Sequence, residues 1–74
     1  MENNKKSNVI YVVDLDDGIF VHDGVRYEVS SKYTNSQKHD IIAKETGLTS
    51  GTIIWEYGKQ KASDKTVNKT VKIG

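Results

Sequence analysis

Three sets of side chains in this 74-residue chain could do chemistry. The first is a run of lysines near the C-terminus, Lys59, Lys61, Lys65, Lys69 and Lys72, each able to meet a phosphate as a point charge. The second is the pair Trp55 and Tyr57, whose rings could stack on bases or anchor a protein interface. The third is Asp14, Asp16 and Asp17, followed by Gly18. A calcium loop needs oxygens at alternate positions and a distant Glu, and Gly18 stands where the third ligand should be. The acidic run therefore reads as a hairpin turn. His22 and His39 have no Cys or second His at ligand spacing, so neither suggests a zinc site. No Ser sits beside a recognisable base, and no glycine-rich phosphate loop is present. The expectation is a protein that is not an enzyme and uses no metal or cofactor.

Composition narrows the setting. A chain this short buries only about 60% of the surface its unfolded form exposes, so one compact core or self-association must supply its stability. There is no Cys to make a disulfide, which fits a cytoplasmic protein. Residues 1–7 are polar, no signal peptide is expected, and no run approaches the roughly 20 apolar residues of a membrane span. Charge is unevenly spread. Residues 1–31 hold three basic side chains against six acidic ones, and residues 32–74 hold eight lysines against four acids. Either the basic half faces an anionic partner or the lysines solvate a surface and a loop.

The elements that must position these groups can be read in order. Residues 1–7 read as a disordered start. Asn8–Leu15 is β-branched and nearly continuously apolar, which suits a strand buried on both faces or a central strand. Asp23-Gly24 between Ile19–His22 and Val25–Val29 is a strong hairpin signal. A two-residue turn pairs His22 with Val25, Val21 with Arg26 and Phe20 with Tyr27. Phe20, Val25, Tyr27 and Val29 then share one face, and Ile19, Val21, Arg26 and Glu28 the other. Thr34-Asn35-Ser36-Gln37 fits a capping box opening a helix that runs to about Thr46. Gly47 stops it, with Leu48 folding back in a Schellman motif. Thr49–Tyr57 is either a strand or a second helix. Residues 58–65 read as a polar loop, and Val67, Val71 and Ile73 mark one face of a closing strand.

Within this frame Ile42–Ile53 carries Ala43, then Gly47 four residues on, Leu48 after it, and Ile53 beyond. That pattern resembles the helix-turn-helix signature. The resemblance covers about a quarter of the chain, residues 39–57. It implies that residues 50–58 form a recognition helix in the major groove, with Thr49, Ser50, Thr52 and Lys59 near phosphates or base edges.

The expected fold is α+β: an antiparallel sheet of four to five strands with one helix, in the order β-β-β-α-β-β, in one domain over residues 8–74. A winged helix-turn-helix is the alternative. The expected function is a non-enzymatic nucleic-acid-binding or regulatory module using Lys59, Lys61, Lys65, Lys69, Lys72, Thr49, Ser50 and Thr52. The alternative is a small protein that binds and inhibits a host protein, of the kind phages and mobile elements encode. It would use a sheet edge or the Trp55/Tyr57 face.

Overall fold

The computed structural model describes residues 7–58 and 67–74. Its first half is set by two turns. The strands β1 (Val9–Asp14), β2 (Ile19–His22) and β3 (Val25–Val29) form an antiparallel meander. Asp23 and Gly24, at φ 46° and 82°, make the tight turn between β2 and β3. The pairs are His22 with Val25, Val21 with Arg26 and Phe20 with Tyr27, as the sequence predicts. Between β1 and β2, the Asp17 N–H donates to Asp14 Oδ1 at 3.1 Å, and the Gly18 N–H to the Leu15 carbonyl at 3.1 Å. A register shift between Val12 and Asp14 leaves Val13 as an extra residue at this end of β1.

The helix α1 (Asn35–Thr46) has both halves of its capping box: Gln37 N–H donates to Thr34 Oγ1, and Thr34 N–H to Gln37 Oε1. Gly47 ends it at φ 77°, and the Leu48 N–H reaches back to the Ala43 carbonyl at 3.2 Å. Its inner face is not purely apolar. Lys38 is buried with Ile42, Ala43 and Thr46, and its ammonium donates to the carbonyls of Leu15 and Asp16 at 2.9 and 3.0 Å. The helix thereby clamps the β1–β2 turn.

After the helix, Ser50–Thr52 is a single 3-10 turn and Ile54–Tyr57 is strand β4. The second helix of a helix-turn-helix does not form, and the winged alternative goes with it. Gly51 and the β-branched and aromatic run Thr52–Trp55 favour extended backbone over a helix. Strand β5 (Lys69–Ile73) closes the sheet, in the order β4-β1-β2-β3-β5.

The element order is the expected one, but the sheet is mixed rather than antiparallel: β4 runs parallel to β1, and β5 parallel to β3. The helix is the cause. It carries the chain from the end of β3 back to the sheet's starting level, so β4 runs the same way as β3 and therefore as β1. Nor is β1 buried on both faces. It lies inside the sheet, but Tyr11 is 40% exposed between buried Ile10 and Val12. Ile10, Val12, Phe20, Tyr27 and Val29 pack under Ile42, Ala43 and Ile53, with Trp55, Val71 and Ile73 at the margin. Full burial of Phe20, Ile10, Ile42 and Val12 contributes about 1.5–3 kcal/mol each.

Candidate interaction site

Strand β4 is an edge strand. The amides of Ile54 and Gly58 donate inward, to the carbonyls of Asn8 (2.8 Å) and Val12 (3.3 Å). Strand backbone alternates, so the N–H and C=O groups of Trp55 and Tyr57 point away from β1. Among the described residues β4 pairs with β1 alone.

Side chains alternate as well. Ile53, Trp55 and Tyr57 share the helix face, with Ile53 buried, Trp55 half-buried and Tyr57 59% exposed. Ile54, 52% exposed, and Glu56 share the opposite face, beside Val9 and Tyr11. The edge therefore shows an apolar side chain on each face, and among the described residues no strand pairs with the outward backbone groups of Trp55 and Tyr57.

His39 holds the aromatic side of this edge in place. Its ring lies 4.4 Å from that of Trp55 and 6.1 Å from that of Phe20, both edge-on. Nδ1 is 3.0 Å from the Asn35 carbonyl, which can only accept, so the proton sits on Nδ1. Nε2 is then free to accept from the Tyr57 hydroxyl at 2.8 Å. Tyr57 is thus exposed but oriented. At the same end, the β1–β2 turn and the end of β4 border a groove of about 400 Å³ lined by Val13, Asp14, Leu15, Asp16, Tyr57 and Gly58.

Of the expected nucleic-acid residues, the described ones lie on two separate elements, Thr49, Ser50 and Thr52 at the 3-10 turn and Lys69 and Lys72 on strand β5. Thr49 precedes the 3-10 turn, and its carbonyl accepts the Thr52 N–H and hydroxyl at 2.8 and 2.9 Å. Ser50 opens that turn, so these residues do not line a recognition helix. Lys59, Lys61 and Lys65 lie outside the described residues. Lys69 and Lys72 are exposed on β5 but three residues apart, which puts them on opposite faces of the sheet. Lys72 stands 3.7 Å from Glu28, whose other oxygen accepts from Arg26 Nε at 2.9 Å. The Arg26 hydrogen bond, and then the charge of Lys72, hold the Glu28 carboxyl below the usual range. Burial, with the fields of Glu45 and Asp23, pushes the Tyr27 phenol up.

His22 is buried at the hairpin tip and donates from Nε2 to the Ser7 carbonyl at 2.7 Å. Among the described residues, no group of three His, Cys, Asp or Glu is placed to hold a metal, and no helix is long and apolar enough to cross a membrane. Sequence reasoning missed Tyr11, Ile54 and His39 as parts of one edge. Tyr11 alone carried a signal, as the one residue with a polar tip inside an apolar run.

Compared with known proteins, the chain matches no family model, and no curated protein or solved structure is similar to it.

Proposed function

We propose that this domain is a non-enzymatic binding module that receives an extended segment of another protein along β4, in the manner of strand addition. One observation carries the reading: an edge strand whose backbone groups at Trp55 and Tyr57 face outward, flanked by exposed Ile54 and Tyr57. Main-chain hydrogen bonds would supply affinity, and the side chains on the two faces selectivity. The cysteine-free composition fits a role in the cytosol, where the module would act as an inhibitor or adaptor on a host protein.

The test is selection of binding segments from a random peptide library, followed by amide hydrogen exchange. Selected segments should slow exchange at Trp55 and Tyr57, and Ile54→Glu should abolish their binding. Segments that protect another surface, or that bind Ile54→Glu as tightly, would sink the proposal.

A second reading keeps an anionic partner. Its support is the excess of lysines over residues 32–74, with Lys69 and Lys72 exposed on one edge strand. It requires affinity for duplex or single-stranded nucleic acid that falls steeply with salt as counterions are released. No detectable binding at low salt removes it.

A further inference from the structure

We propose that β4 of one copy also pairs in parallel with β5 of a second copy, extending the sheet head to tail. This rests on the reading of β4 as a receptive edge. It adds a partner that the chain itself supplies.

Three independent features of the two edges agree on one register. The first is direction. Strands β4 and β5 are both parallel to β1 and β3, at opposite ends of one sheet, so a neighbouring copy in the same orientation presents β5 to β4 with its helix on the same side. The second is backbone parity. The Ser30 N–H donates to the Ile73 carbonyl, so Lys69, Val71 and Ile73 turn their backbone groups toward β3, while Thr70 and Lys72 turn theirs outward. On β4 the outward groups belong to Trp55 and Tyr57. Opposing Trp55 to Val71 places the Trp55 N–H and C=O between the outward groups of Thr70 and Lys72.

The third is side-chain chemistry. In that register Trp55 meets Val71 and Tyr57 meets Ile73 on the helix face, where all four already border the molecule's own core or its His39 cluster. Glu56 meets Lys72 on the opposite face. A shift of one residue breaks the backbone parity, and a shift of two takes Lys72 away from Glu56. Symmetric β4–β4 pairing does worse. Its two-fold registers set Glu56 against Glu56, Ile54, Gly58 or Thr52, never against a cation. Lys72 can make the contact, because its side chain is 78% exposed and Glu28 is already held by Arg26 at 2.9 Å.

A head-to-tail contact does not close on itself. Each oligomer keeps one free β4 at one end and one free β5 at the other, so the product is an open series of oligomers. Each junction is one short strand, so association is weak and depends on concentration.

The experiment is sedimentation velocity on the full chain at low salt, up to about 1 mM, which half-populates even an association with a millimolar dissociation constant. Wild type should form species that grow with concentration. Glu56→Lys and Lys72→Glu, both at exposed positions, should each fold by circular dichroism and each weaken association about tenfold. Mixed in equal amounts they should assemble again, since every junction between unlike copies restores an opposite-charge pair. Glu56→Gln carries the same readout with shape conserved.

A wild type that stays monomeric overturns the proposal, as does a reversal without effect or a mixture that stays apart. A closed dimer of Glu56→Lys with wild type would show symmetric β4 pairing instead and also overturn it. If the chain is monomeric while selected segments still protect Trp55 and Tyr57, self-recognition falls and segment binding stands. If neither occurs, the β4 edge is not a binding surface.

Discussion

Gly18 is where the fold leaves least room, and Gly18→Ala tests the packing of the β1–β2 turn against β3. Gly18 has φ 70°, a conformation that costs a residue with a Cβ about 1–2 kcal/mol. A Cβ built there would lie 2.3 Å from the Val29 carbonyl oxygen and 3.1 Å from its carbon. Ordinary C···O contacts are about 3.3 Å, so the turn or the end of β3 must move by about 1 Å. That end is tied down: the Val29 N–H donates to the Gly18 carbonyl at 2.8 Å, and the next amide, Ser30, to Ile73 at 2.9 Å. Relieving the clash breaks the first of these bonds, and leaving its partners unpaired costs about 1–3 kcal/mol. The sum is about 2–5 kcal/mol, against a total of about 4–11 kcal/mol for a chain this long. Urea unfolding followed by Trp55 fluorescence gives the difference. Gly51→Ala is the control. It has open space around its Cβ position and no positive φ, so Ala there should be neutral or stabilise by up to about 1 kcal/mol. If Gly18→Ala costs less than about 1 kcal/mol, the turn does not pass this close to β3 and the reasoning fails.

Three further substitutions separate competing effects. Lys38→Met removes two charge-assisted bonds to the Leu15 and Asp16 carbonyls but also relieves burial of an ammonium; because Asp16 is exposed and can be rehydrated, a net loss of about 1–3 kcal/mol is expected, or roughly 4–8 °C in Tm for each kcal/mol. An unchanged or raised Tm would show that the clamp on the turn contributes nothing. Arg26→Gln should raise the Glu28 pKa more than Lys72→Gln does, read by NMR titration of the carboxyl, because the Arg26 hydrogen bond is the larger cause of its depression. The depressed value means that this pair's contribution is present above the ordinary glutamate range and fades as pH falls through the folded-state pKa; an equal response to both variants would refute that ranking.

Local chemistry made much of the fold legible, and the unread part has a physical reason. The Asp23-Gly24 hairpin, the Thr34/Gln37 box and the Gly47 stop are each closed by backbone or side-chain bonds within a few residues, so sequence spacing determines them. Sheet direction is different. An antiparallel and a parallel partner for Ile54–Tyr57 use the same alternation of side chains, and only the path of the helix decides between them. The burial of Lys38 was hidden for a related reason. An ammonium on a helix's inner face reads as a mismatch until the Leu15 and Asp16 carbonyls arrive from more than twenty residues away.

The site was legible only as residue types. Trp55 and Tyr57 stood out, yet sequence spacing could not say that one would be half-buried against His39 while the other stayed exposed and held by the same ring. What distinguishes the two edges is also a tertiary property. Strand β5 carries Lys69 and Lys72, the kind of charge that blunts an edge against pairing with other chains, and β4 carries no lysine at all. A small sheet with one guarded edge and one unguarded edge has a built-in direction. An incoming strand with an apolar residue on each side of a lysine suits β4, and Val71-Lys72-Ile73 is such a strand. A lysine that discourages like edges from meeting thereby becomes the charge that an unlike edge, bearing Glu56, can accept.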